Sequence, residues 1–256
     1  SLMIYYLPGM ELEVVSMRFR GRVNHVAVCR DRLSASGALY TLWIVHDRAC
    51  ARTLLDVMES SSRGLDSPCL MQAAQNEELL FLFPYREERK FSSFARGQRV
   101  TEAVGEEIAV QLVLECISVG FPWPILYLIL EQDQVQIAKD NSIYFNVNLD
   151  LEQLDPKKTE RSCVSSCAWM ILELMSSPLA GRRETKGGPG GKRRLKSFQL
   201  IWKKSSKNAY ASFPELYHDI RLTALPGRKN SLKNRMKGVW LSKRDWLFRL
   251  LLVLCG

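Results

Sequence analysis

The chain has 256 residues, 46% of them apolar, which suffices for one large domain or two small ones with a real core and excludes a wholly disordered chain. The formal net charge of +9 is unevenly held: from Gly181 onward there are 19 Lys or Arg against 4 Asp or Glu, and the rest of the chain is mildly acidic. A basic tail on an acidic body points to an anionic partner for the tail. Seven scattered cysteines without a Cys-x-x-Cys pair argue against a disulfide framework or zinc site, and fit buried thiols in a reducing compartment.

In chain order, residues 4–47 are expected to form a small sheet from Leu12–Phe19, Val23–Cys29 and Leu39–Val45. A helix follows over Ala49–Met58, with Asp47 placed to cap it. After a Ser/Gly/Pro-rich loop come two more strands, Cys69–Ala73 and Leu79–Phe83, the second stopped by Pro84. A hinge is expected at Phe83, Pro84 and Tyr85, leading into the charge run Arg86–Lys90. Thr101–Val119 is the clearest helix, with an apolar stripe of Ile108, Leu112, Cys116 and Val119. Gly120–Pro124 stops it, and Ile125–Leu130 is wholly apolar and reads as a buried segment.

Gln134–Asp150 then reads as two short strands and a turn. Val135 and Ile137, then Ile143, Phe145 and Val147, alternate with polar neighbours, and Asp140-Asn141 suits the turn. A polar loop over Leu151–Glu160 leads to a second apolar helix, Ser162–Met175. Residues 177–197 are basic and Gly-rich and are expected to be disordered. Residues 198–225 return to helix, with Phe213-Pro214 opening the one that carries Leu216 and Ile220. Residues 226–256 are a basic, juxtamembrane-like segment with an apolar end, Trp246–Cys255.

This order resembles the protein kinase family. There, the strand pair after the first long helix of the large lobe reads roughly Asn-Ile-Leu-Leu-x-x-Asp-Gly-x-Val-Lys-Leu-x-Asp-Phe-Gly, and Gln134–Leu149 lies over it without a gap. The resemblance covers about residues 11–176. It implies an α+β, two-lobed protein-kinase-like fold followed by a basic tail. The β-rich small lobe would span 3–85, the core of the mainly helical large lobe 86–176, and its helical C-terminal part 198–225.

The same overlay implies that the chemistry is gone. Phosphoryl transfer needs metal ions held by an Asp and an Asn, a lysine on the phosphates and an Asp at the hydroxyl. Val147-Asn148-Leu149 stands for Asp-Phe-Gly, Gln134 for the metal-binding Asn, and Tyr127-Leu128-Ile129 for the catalytic His-Arg-Asp. No lysine occurs before Lys90, and His46 is the nearest equivalent of the phosphate-pairing lysine. A register slip that brings Asp150 to the metal position would exchange the strand's buried and exposed faces, so Asp150 reads as a loop or cap residue. The resemblance thus implies a pseudokinase-like domain with no catalytic residue, metal or cofactor.

The tail supplies candidate contacts to an anionic membrane surface: Arg193, Arg194, Lys196, Lys233, Arg235, Lys237, Trp240, Lys243, Arg244 and Trp246. Trp240 and Trp246 flank Lys243-Arg244 as at a membrane boundary. The apolar end fits an interfacial helix, a packed helix or the start of a membrane span. The expected function is an inactive scaffold or sensor at the cytoplasmic face of a membrane, with a protein partner of unknown identity. The alternative is nucleic-acid binding by the basic third, where Trp202 and Tyr210 interleave with Lys203, Lys204 and Lys207. An enzyme on an unrelated α+β fold is a third reading. His25, His46 and His218 are far apart in sequence and read as ordinary histidines.

Overall fold

The structure is a computed structural model that describes residues 3–60, 63–97, 102–176 and 189–222. The expected α+β class is what it adopts, strands first and helices after. The chain forms two compact units that do not follow chain order. One comprises residues up to Lys90, Val119–Gln136 and Tyr144–Lys158. The other comprises Phe91–Ser118, Ile137–Ile143 and the chain from Thr159.

The first unit is built on a six-stranded antiparallel sheet in the order β1-β2-β3-β4-β6-β5. Its strands are β1 (Ile4–Leu7), β2 (Met10–Arg20), β3 (Asn24–Asp31), β4 (Leu39–Val45), β5 (Met71–Gln75) and β6 (Glu78–Pro84). Period-two alternation puts Leu12, Ala27, Cys29, Leu42, Ile44, Leu80 and Leu82 in one core, joined by Tyr5 and Leu7. Burial, with Glu78 and Cys29 nearby, pushes the Tyr5 phenol up to about 12. β1 is a strand that the sequence pattern did not separate from β2; Gly9, at φ +73°, makes the tight turn between them. The Tyr6 amide donates to Gln75 Oε1 at 2.8 Å, so the two edge strands, β1 and β5, touch there.

The expected first helix is α1 (Arg48–Ser60). Asp47 caps it, its Oδ2 accepting from the Cys50 amide at 2.8 Å, and Leu54 and Val57 are its buried residues. The apolar run after Gly120 is α4 (Trp123–Glu131), with Pro124 in its first turn and Ile125, Leu126, Leu128, Ile129 and Leu130 buried. Gly120 is required there, because a Cβ would lie 1.8 Å from the Asp66 carbonyl oxygen. The expected hairpin is β7 (Val135–Ile137) with β8 (Ile143–Phe145). Its turn has Asn141 at φ 66° and Asp140 Oδ1 accepting from the Ser142 amide at 3.0 Å.

The second unit is helical: α2 (Phe91–Gly97), α3 (Glu102–Ser118), α5 (Glu160–Ser176), α6 (Pro189–Ser206) and α7 (Phe213–Arg221). α5 packs against each of the other four. The sequence reading had no helix at α2 and expected a disordered loop over 177–197. α6 corrects the second point, since the helix begins at Pro189; residues 177–188 lie outside the described residues. A proline at a helix start loses no hydrogen bond, and α6 has Ile201 buried against its neighbours. Cys116 on α3 and Cys163 and Cys167 on α5 are buried together. Burial, then a hydrogen bond with Cys167, pushes the Cys116 thiol well up, which leaves it inert. Buried Asp219 accepts from Tyr210 Oη and from Lys204 Nζ, both at 2.7 Å, and staples α6 to α7.

Leu42→Ala, in the core of the sheet, is expected to cost about 2–5 kcal/mol in urea unfolding without changing the m-value.

Candidate functional site

The segment Val147–Leu151, which the kinase overlay marks as the former metal site, belongs to no strand and must find partners for its buried backbone elsewhere. Side chains of the first unit supply them residue by residue. Trp43 Nε1 donates to the Val147 carbonyl at 2.7 Å. The Asn148 amide donates to Gln134 Oε1 at 3.1 Å. Asn24 Nδ2 donates to the Leu149 carbonyl, and the Leu151 amide donates back to Asn24 Oδ1, each at 2.9 Å. Between these, the Asp150 amide donates to Gln132 Oε1 at 2.8 Å, and Gln132 Nε2 donates to the Asp150 carbonyl at 3.0 Å. Trp43 and Asn24 are fully buried, so their three bonds are made away from water, whereas those of Gln132 and Gln134 are part-buried.

The elements that place these groups follow from the sequence. Trp43 sits in mid-β4, and β4 runs into α1. β4 contains no lysine, and an indole stands in its middle. Trp43 stacks on Phe83, ring centroids 4.4 Å apart, and on Phe81 at 5.9 Å; Phe83 in turn lies 6.3 Å from Phe121. Such offset aromatic pairs contribute about 0.5–1.5 kcal/mol each beyond their area. The sequence reading assigned no role to Trp43; its place in a strand that lacks lysine was the available signal.

His46, the expected lysine equivalent, lies just beyond β4 and is exposed. Its Nε2 is 2.8 Å from the Arg22 carbonyl oxygen, and its ring stands 4.7 Å from that of His25. Histidines far apart in sequence thus meet, because β3 pairs with β4 in a register that sets His25 opposite Ile44. His25 Nδ1 is buried without a hydrogen-bond partner, and burial, His46 and Arg20 hold this imidazole below its ordinary pKa. Arg22, at the turn between β2 and β3, pairs with Glu152; both are too solvent-screened to add much.

Tyr127, Leu128 and Ile129 lie in α4, where Leu128 and Ile129 face the core and Tyr127 carries Lys158 Nζ 4.5 Å from its ring centroid. Val147 and Leu149 are buried apolar residues. Asp150 is a cap, as expected: its Oδ1 accepts from the Glu152 amide at 3.0 Å at the start of a 3-10 turn, Leu151–Gln153. Burial, with Asp47 and Asp150 nearby, pushes the Cys50 thiol up to about 11. At the expected hinge, Phe83 is buried in the aromatic stack, Pro84 is the exposed last residue of β6, and Tyr85 is half-buried. The chain beyond is pinned to the hairpin. The Glu87 carbonyl accepts from Tyr144 Oη at 2.7 Å, Gln136 Oε1 accepts from the Arg89 amide, and Arg86 lies 4.1 Å from the Tyr144 ring centroid. Among the described residues no group of three His, Cys, Asp or Glu is arranged to hold a metal ion.

Of the expected anion contacts, Arg193, Arg194 and Lys196 lie within α6. Lys233, Arg235, Lys237, Trp240, Lys243, Arg244 and Trp246 lie outside the described residues. No helix among the described residues is long and apolar enough to cross a membrane. The base-stacking set is broken up: Tyr210 is buried against Asp219 and Lys204 turns inward to the same carboxylate, leaving Trp202, Lys203 and Lys207 exposed.

Asn24→Ala should leave the Leu149 carbonyl and Leu151 amide unpaired and cost about 2–4 kcal/mol in chemical unfolding, with faster hydrogen exchange at Leu151. The lowered His25 pKa gives a pH test. The unfolded chain binds this proton more readily, so the contribution is full above about pH 6.5 and is lost as pH falls toward the folded value. His25→Gln should flatten the fall of melting temperature between pH 7 and pH 5, about where the free imidazole titrates.

No family model matches the chain, and no curated protein matches it. Among solved structures, the kinase domain of Mycobacterium tuberculosis PknI is similar at 12% identity and a TM-score of 0.48, over 83% of this chain and 96% of that one. A likeness of that degree carries no residue role or activity across.

Proposed function

We propose that this chain is a catalytically inactive, kinase-like domain that works as a scaffold or sensor at the cytoplasmic face of a membrane. The observation that carries the inactive reading is the clamp on Val147–Leu151. At the overlaid kinase positions Gln134 and Val147 stand where metal-binding Asn and Asp would be, and the segment's backbone is bonded by Trp43, Asn24, Gln132 and Gln134. The element order supports kinship with the kinase fold: three strands, a helix and two strands, then a long helix, a short hairpin and another long helix. The extra strand β1 and the helix α4 would be this chain's additions. The basic segment 226–256, with its paired tryptophans and apolar end, supports the membrane reading.

A thermal shift of the full chain with ATP, ADP and GTP, with and without Mg²⁺, tests the inactive reading. A nucleotide at 100 times its Kd would stabilise the fold by about 2.7 kcal/mol. The expected result is no shift and no phosphate transfer; a Mg²⁺-dependent shift with ATP would overturn it.

A further inference from the structure

The second unit carries a surface that neither the clamp nor the tail explains. Trp169 on α5 and Trp202 on α6 are 46% and 53% exposed, while most of the unit's other large apolar side chains are buried. α5 and α6 pack together, and Arg161 donates to the Asn208 carbonyl at 2.7 Å, so the start of α5 lies beside the end of α6. Trp169 lies about two turns along α5 from Arg161, and Trp202 about one turn before the end of α6. Lys203 and Lys207 are exposed beside Trp202. α6 contains six Lys or Arg and no Asp or Glu. Glu173, one turn beyond Trp169, is neutralised by Arg96 at 3.2 Å.

From this arrangement we infer that the outer face of α5 and α6, centred on Trp169 and Trp202, docks on an anionic lipid surface. The inference rests on the membrane reading above and adds a contact on the folded body to the one proposed for the tail. Indoles with an apolar ring and a polar N–H settle at the headgroup boundary, and lysine stems reach past them to lipid phosphates and carboxylates. Charge decides the partner class, since the exposed Lys203 and Lys207 beside Trp202, on a helix sequence with no Asp or Glu, repel a basic surface and attract an anionic one. A nucleic acid shares that charge, but the second aromatic that a stacking platform would use, Tyr210, is buried.

The test is co-sedimentation of the full chain with vesicles of phosphatidylserine and phosphatidylcholine, and of phosphatidylcholine alone. Trp169→Ser with Trp202→Ser should weaken binding to the anionic vesicles roughly tenfold, and Lys203→Gln with Lys207→Gln should weaken it less, with melting temperatures unchanged. The tryptophan effect should persist in a tail variant carrying Lys233→Gln, Arg235→Gln, Lys237→Gln, Lys243→Gln and Arg244→Gln. If the tail variant alone abolishes binding and the tryptophan variant binds like wild type, the inference fails and the membrane reading stands. Wild type that ignores anionic vesicles overturns both. Trp202-dependent binding to single-stranded RNA without vesicle binding overturns the lipid assignment in favour of nucleic acid.

Discussion

The first unit depends on one constraint: the chain from Val147 to Leu151 lies outside any strand, with Val147, Leu149 and Leu151 buried, and its backbone polar groups must be paired. A buried amide or carbonyl without a partner costs about 1–3 kcal/mol, so such a segment cannot be placed there without help. The help comes from Asn24, Trp43, Gln132 and Gln134, which reach the segment from β3, from β4, from the end of α4 and from just before β7. Each gives up side-chain polarity to the protein itself.

Two further features follow from the same need. The β2–β3 hairpin is short, Arg20-Gly21-Arg22-Val23 before Asn24, because Asn24 must meet the segment directly. α4 is helical and apolar because its inner face packs the core while Gln132, at its C-terminal cap, turns to Asp150. The aromatic stack of Trp43, Phe81, Phe83 and Phe121 then excludes water from the bonds. A low local dielectric strengthens every bond of such a network and raises the cost of breaking one.

The second unit answers a different need. Its helices bury apolar stripes and a small group of thiols, with Asp219 holding α6 and α7 through Tyr210 and Lys204. What it leaves outside includes Trp169, Trp202, Lys203 and Lys207.

Period-two alternation and turn chemistry made β2, β3, β4 and the β7–β8 hairpin legible in the sequence, because each buries one face and a slip would expose it. The apolar helices α1, α3 and α5 were legible for the same reason. Other features were decided only in three dimensions. β1 depends on meeting β5, and the His25–His46 pair on the β3–β4 register. The bonds of Trp43 and Asn24 to Val147–Leu151 join residues more than a hundred positions apart, 104 for Trp43 and Val147, and no local pattern marks such a partner. α6 begins inside a Gly-rich basic stretch that composition marks as disordered, because packing on α5 and α7 outweighs local propensity. Composition fixed the charges and the apolar residues; tertiary packing decided that Tyr210 goes in and that Trp169 and Trp202 stay out.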